Sequence, residues 1–229
     1  MNCGMKRMLA AILVMACAVA AAPGDTLQQA VIEVVAHNRP PALLTAALQD
    51  GPSAAGATTE LGWQDIGRFE ALVQRANPQA AEAERQARVK LAYSLLMLLR
   101  RDGQMSAAGG GYARMSPLDR HIELLAKLVA AEPSLRRGEI QLLAADAEGP
   151  GLLAVARRLP EGNRAPFIDT ILLFNTSGAA VTAAVAVDPR IEVTKSMLGD
   201  CPLPSARGVL TVEIEPFGAL VCAGAVAVR

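Results

Sequence analysis

The chain changes its hydrophobic period near the middle. Up to about residue 137, apolar residues recur at helical spacing. Beyond Gly138 they fall into short runs separated by turn residues. Leu27, Ala30, Val31, Val34 and Val35 predict a helix over 25–48, broken at Pro40-Pro41 and resuming over 42–48. The segment DGPSAAGATTELG reads as loop. Ile66, Phe69, Leu72 and Val73 put one apolar face on a helix over 63–76. Asn77-Pro78 is a helix-start signal, and the longest helix is predicted over 79–101. Its first half is charged (Glu82, Glu84, Arg85, Arg88), whereas Leu91 to Leu99 is nearly all apolar. One end should therefore be solvated and the other deeply buried. After a loop holding Gly109-Gly110-Gly111, Ser116-Pro117 starts a further helix. Its buried stripe is Leu118, Ile122, Leu125 and Val129, and Glu132-Pro133 ends it.

The strand half contains EIQLLAA, GLLAVARR, FIDTILLFNTSG, VLTVEIEP and FGALVCAG, among six to eight alternating segments. Gly, Pro and Asn turns, such as Asn175-Thr176-Ser177-Gly178 and Asp188-Pro189, separate them. The predicted fold class is α+β: an N-terminal layer of three to four helices (23–137), then a small antiparallel β-sandwich (138–229).

Charge narrows the function classes. The 22 basic and 22 acidic residues cancel, and no basic stripe points to nucleic acid. Apolar residues form 52% of the chain, enough for a core, while aromatics are only 3%, too few for an obvious stacking surface. Residues 1–22 read as an export signal: Lys6 and Arg7 precede an apolar run over 8–19, with small residues before Pro23. The run is shorter than the roughly 20 residues of a membrane span, so no span is expected once the signal is removed. The alternatives are a retained anchor, or a lipoprotein acylated at Cys17, for which Met15 suits the lipobox poorly. Only Cys201 and Cys222 would survive ordinary cleavage. In an exported chain they favour one disulfide, the alternative being two buried free thiols. His37 and His121 lack ligand spacing, so no metal and no cofactor is implied.

Several phrases together resemble the C-terminal end of α-amylase-type glycoside hydrolases of family 13. Glu132-Pro133-Ser134-Leu135-Arg136-Arg137-Gly138 is similar to the phrase that closes the family's last barrel helix. Phe174-Asn175-Thr176-Ser177 resembles a strand ending in Asn and a small polar residue. Pro216-Phe217-Gly218-Ala219-Leu220-Val221 resembles the phrase of the last strand, and residues 87–96 resemble the penultimate barrel helix. The resemblance runs over about 85–223 and implies the last barrel helices plus the C-terminal sandwich. Some exported members also carry a cysteine pair near the positions of Cys201 and Cys222.

The departures are as informative. The family needs an Asp nucleophile, a Glu general acid and a second Asp on the strands of a barrel of about 250 residues. None of the three motifs is present, and Ala36-His37-Asn38-Arg39-Pro40 holds related letters in the wrong order. No catalytic residue is carried over. Asp65, Glu70, Asp119, Glu123 and Asp169 are the remaining acidic candidates, and Asp119 with Glu123 reads as a solvated i,i+4 pair. His121 reads as a packing residue. Arg136 and Arg137 read as caps of helix carbonyls paired with nearby acids. Phe167, Phe174 and Phe217 read as core residues in apolar strands, and Trp63 and Tyr112 lie outside the sandwich, which counts against a glycan-binding surface on it.

The leading expectation is thus an exported, non-catalytic relative acting as an accessory or interaction module, in the periplasm or outside the cell. The alternatives are an atypical α-glucan hydrolase and a carbohydrate-binding module. The expected partners are an α-glucan or a protein. A homodimer follows if the sandwich alone does not cover Leu91–Leu99.

Overall fold

The computed structural model describes residues 26–49, 63–100, 116–159, 169–205 and 207–226. The expected export signal, Cys17 and Tyr112 lie outside them, as does Phe167. Within them the helices are α1 (Thr26–Ala36), α2 (Ala42–Gln49), α3 (Trp63–Ala76), α4 (Glu82–Leu99), α5 (Pro117–Ala131) and α6 (Pro133–Arg137). The strands are β1 (Glu139–Ala145), β2 (Leu152–Arg158), β3 (Asp169–Asn175), β4 (Val181–Ala186), β5 (Ile191–Leu198), β6 (Val209–Ile214) and β7 (Ala219–Val226). The α+β order expected from the sequence holds, with helices first and antiparallel strands after.

In the helical layer Pro40-Pro41 breaks the run into two helices as expected, and the α2 amides Leu43 N–H and Leu44 N–H bond to the Pro40 and Pro41 carbonyls. The start of α4 departs from expectation. Asn77 does not start α4. Its side-chain amide donates to the carbonyls of Ala36 (2.8 Å) and Val73 (3.2 Å), so it closes α1 and α3 instead. Helix α4 begins five residues later, where Glu82 and Glu84 meet the positive helix end. Glu132-Pro133 both ends α5 and opens α6, because Pro suits the first turn of a helix. Ser116 caps α5 in a reciprocal box with Asp119.

Helix α4 is solvated over its first turns and fully buried over Leu91–Leu99. It packs against α1, α3 and α5, and touches β3 of the sheet beneath. The chain itself therefore covers this apolar stretch.

The sandwich has unequal halves. A five-stranded sheet of order β1-β2-β3-β7-β5 faces a two-stranded ribbon of β4 and β6, and every pairing is antiparallel. Leu153, Val155, Leu172, Phe174 and Val221 join the helical core. Leu152, Ala154, Ile171, Leu173 and Cys222 point the other way, onto Val185, Leu210, Val212 and Ile214 of the ribbon. With helices on one face and the ribbon on the other, β2 and β3 are buried almost throughout and do not show the alternation read from the sequence. The ribbon strands β4 and β6, solvated on their outer face, do alternate. Phe217 is core as expected, but it sits in the turn before β7 with φ +52°, not in a strand.

Cys201 and Cys222 form the expected disulfide, with Cα atoms 5.8 Å apart. It ties the segment after edge strand β5 to the interior strand β7. Closing a loop of this length restricts the unfolded chain by about 3 kcal/mol. The double variant C201A/C222A should lose about 2–4 kcal/mol in urea unfolding. An unchanged midpoint would mean that strand pairing alone holds β5.

A second polar lock lies at the far end of the sheet. Arg158 binds Asp169 (2.7 Å) and Asp188 (3.3 Å), and Asp188 also binds Arg190 (2.7 Å). Hydrogen bonding to Arg190, with the charges of Arg190 and Arg158, pulls the Asp188 carboxyl from 3.8 down to about 2. A carboxylate depressed in the folded state stabilises fully above its unfolded value, and that contribution disappears as pH falls toward 2. Acidification from pH 5 to pH 2 should therefore remove about 1–2 kcal/mol through this group, screening by solvent at exposed Arg190 included. D188N should lose that part of the acid dependence, read as a flatter plot of unfolding midpoint against pH.

Candidate functional site

Three of the family-like phrases converge where the helices meet the sandwich. Asn175, fully buried at the end of β3, donates its side-chain amide to the carbonyls of Ala179 (2.7 Å), Ile214 (3.0 Å) and Glu215 (3.0 Å). Its side-chain oxygen accepts from the amide and hydroxyl of Ser177. One side chain thus ties the β3–β4 turn to the β6–β7 turn. Gly218 lies in the second turn, where a Cβ would come within 2.8 Å of the Glu215 carbonyl. Phe217 tucks beneath Arg88 of α4, whose guanidinium lies 4.1 Å from the ring centroid. Arg88 also donates to the Val35 carbonyl (2.6 Å), to Asn38 (2.8 Å) and to Glu84 (2.8 Å).

The phrase ending in Arg136-Arg137-Gly138 is explained differently from the sequence reading. Both arginines are exposed, and they do not hold the helix carbonyls. Arg157 of β2 does so: fully buried, it donates to the carbonyls of Leu135 (2.6 Å), Arg100 (3.0 Å) and Ser134 (3.4 Å). Gly138 must lack a side chain because a Cβ would collide with the Ser134 carbonyl. Beside it, the Ser134 hydroxyl bonds to Glu132 (3.0 Å) and to Thr170 of β3. These phrases are joints between layers.

The acidic candidates are scattered and engaged elsewhere. Asp119 belongs to the α5 capping box, and Glu123 pairs with Lys127 (2.6 Å) on the same helix. Asp169 is buried against Arg158. Glu70 borders a polar cleft of about 200 Å³ between α3 and α4, beside Glu82 and Arg85. Hydrogen bonds from Gln86 and Arg85 hold the Glu82 carboxyl below its usual range. The side chains of Trp63 and Asp65 lie outside the described residues. Among the described residues no cluster of His, Cys, Asp and Glu could hold a metal ion.

A larger cleft, about 350 Å³, opens between α4, α5 and the β5–β7 end of the sheet. Its polar wall carries Lys90, Ser94 and His121, and its apolar wall Leu91, Leu198 and Phe217. His121 Nε2 lies 2.9 Å from the Ser94 hydroxyl, which donates to the Lys90 carbonyl at 3.0 Å. Burial first, then the charge of Lys90, lowers the His121 pKa, while a hydrogen bond to the Lys90 backbone opposes the shift. Burial thus favours the neutral ring. Ser94 is 1% exposed in mid-helix and its hydroxyl already serves the turn below. The pair is built as a packing contact between α4 and α5 rather than as a nucleophile and base. Nothing local in the sequence marks this cleft, since its walls join α4 and α5 to the distant Leu198 and Phe217.

No protein-family model and no curated protein matches the chain. Among solved structures, AmyP in complex with maltose superimposes with a TM-score of 0.65 at 19% identity, over 90% of this chain and 50% of that one. An Anoxybacillus α-amylase gives 0.63 at 16% identity, over 89% of this chain and 46% of that one. The chain thus spans about half the length of either structure. The architecture is that of a part of an α-amylase-type glycoside hydrolase, helices backed by an antiparallel sandwich. The resemblance read from the sequence holds at the level of fold.

Proposed function

We propose that this chain is an exported, non-catalytic relative of α-amylase-type enzymes that works as an accessory or interaction module. The observation that carries this reading is the engagement of its carboxylates. Asp119, Glu123 and Asp169, the candidates among the described residues with defined partners, cap a helix or neutralise a cation. Retaining glycoside hydrolysis instead requires two carboxyls facing one sugar about 5 Å apart. The Cys201–Cys222 bond fits an oxidising compartment. Among the described residues no helix is long and apolar enough to cross a membrane.

Purified protein incubated with starch or maltooligosaccharides should release no reducing sugar above a buffer control. Turnover that disappears on replacing a single carboxylate would establish the hydrolase reading instead.

A further inference from the structure

The cleft between α4, α5 and the β5–β7 end has the composition of a small-ligand site. Its volume, about 350 Å³, lies within the range of such pockets. It sits at the junction of two layers, where those pockets commonly occur. One wall is apolar, with Leu198, Phe217 and Ala219 presenting a surface with no polar side chain. The opposite wall carries the Lys90 ammonium, with which, among the described residues, no carboxylate forms an ion pair. Lys90 also borders the neighbouring cleft, but Glu82 there is already held by Arg85 (2.6 Å) and Gln86 (2.9 Å). The other polar side chains of the wall are engaged: Gln86 donates to Glu82, and Ser94 serves the Lys90 carbonyl and His121. One unpaired cation opposite an apolar surface suits a molecule with a single anionic end and a short apolar body. It suits a sugar poorly, because few free donors and acceptors remain to meet its hydroxyls.

We propose that this cleft binds a small amphipathic carboxylate, with its head at Lys90 and its apolar body against Leu198, Phe217 and Ala219. This inference is independent of the catalytic question. His121 reports occupancy. It stands within the same wall, and an anion beside it favours the protonated ring. His37 is exposed at the end of α1, away from the lining residues, and serves as an internal control.

The test is an NMR titration of the full chain, labelled at histidine, with octanoate at pH 7. The His121 ring signals should shift saturably while those of His37 stay fixed, and bound octanoate should raise the pH at which His121 titrates. K90M should weaken binding by about tenfold, as expected for loss of one charge-assisted contact. K90R should keep most of the affinity. A87F, which leaves the charge and narrows the cleft, should also abolish the shift. The proposal fails if octanol, with the same tail and no charge, binds as well as octanoate. It fails too if K90M binds normally, or if both histidines shift linearly. A His121 shift with maltose but not octanoate would make this a sugar site. A shift with anionic vesicles alone would make it a membrane contact, and either result overturns the proposal.

Discussion

Asn175→Asp is expected to cost about 3–5 kcal/mol in urea unfolding followed by circular dichroism. The substitution is nearly isosteric, so packing is preserved and the loss isolates the hydrogen-bond network. Asn175 donates to three carbonyls, those of Ala179, Ile214 and Glu215. An aspartate in the same place has no donor when ionised, and it would set a negative charge against three partial negative charges in a fully buried site. It avoids this only by binding a proton, so its apparent pKa should rise. The penalty should then shrink at acid pH relative to wild type. Asn175→Ala, which removes donors without adding charge, should fall between the two at about 2–3 kcal/mol. Ser177→Ala, removing a partner near the surface, should cost about 1 kcal/mol. An N175D protein within 1 kcal/mol of wild type at pH 7 would show that the two turns are held by strand pairing and not by this side chain.

That outcome bears on what the family-like phrases mean. They are short, yet each contains a residue whose chemistry is fixed by its place: an Asn that bridges two turns, a Phe beneath an arginine, a Gly with a carbonyl against its Cα. Such positions are recognisable in sequence because few other residues satisfy them. They specify joints of a fold and carry no reaction. The likeness to amylase structures at 16–19% identity is accordingly a likeness of architecture over about half of each neighbour.

The same distinction explains how much could be read in advance. Periodicity located α3, α4 and α5 because each buries one face or one end, and the change of period at Gly138 located the sandwich. Periodicity failed at β2 and β3, where helices on one side and the ribbon on the other make every position apolar or internally paired. It also misplaced the start of α4, because Asn-Pro is equally suited to closing the helix before it. Cys201 and Cys222 were legible as a pair from compartment and count. The cleft was not, because Lys90 and Phe217 meet only once α4 lies across the β6–β7 turn, and nothing local in either segment encodes that crossing. Arg157-Arg158 carries a signal of its own. Two charges ending an apolar strand must point to opposite faces, and each therefore needs a buried or a bordering partner. In the structure one enters the helical layer and the other reaches Asp169.

Arg157 is accordingly the second position where a large effect is expected. Its guanidinium is fully buried and gathers the carbonyls of Ser134 and Leu135 in α6 with that of Arg100 just beyond α4. Helix ends leave carbonyls without intrahelical partners, and here the bonds to Ser134 and Leu135 are buried while that to Arg100 is partly so. Arg157→Met keeps the aliphatic stem and removes every donor. The freed carbonyls then oppose folding by about 1–3 kcal/mol each, offset in part because a buried charge is no longer desolvated, for a net loss of about 3 kcal/mol. Arg157→Lys makes the sharper comparison. Lysine retains the charge, and so the cost of burying it, but a single ammonium cannot span three carbonyls arranged for a planar fork. R157K should therefore be less stable than R157M, the reverse of the order expected if charge alone mattered. Unfolding midpoints of the two variants, compared at pH 7, decide between these accounts. Should R157K match wild type while R157M does not, the carbonyl cradle needs only a positive charge and the fork geometry is incidental.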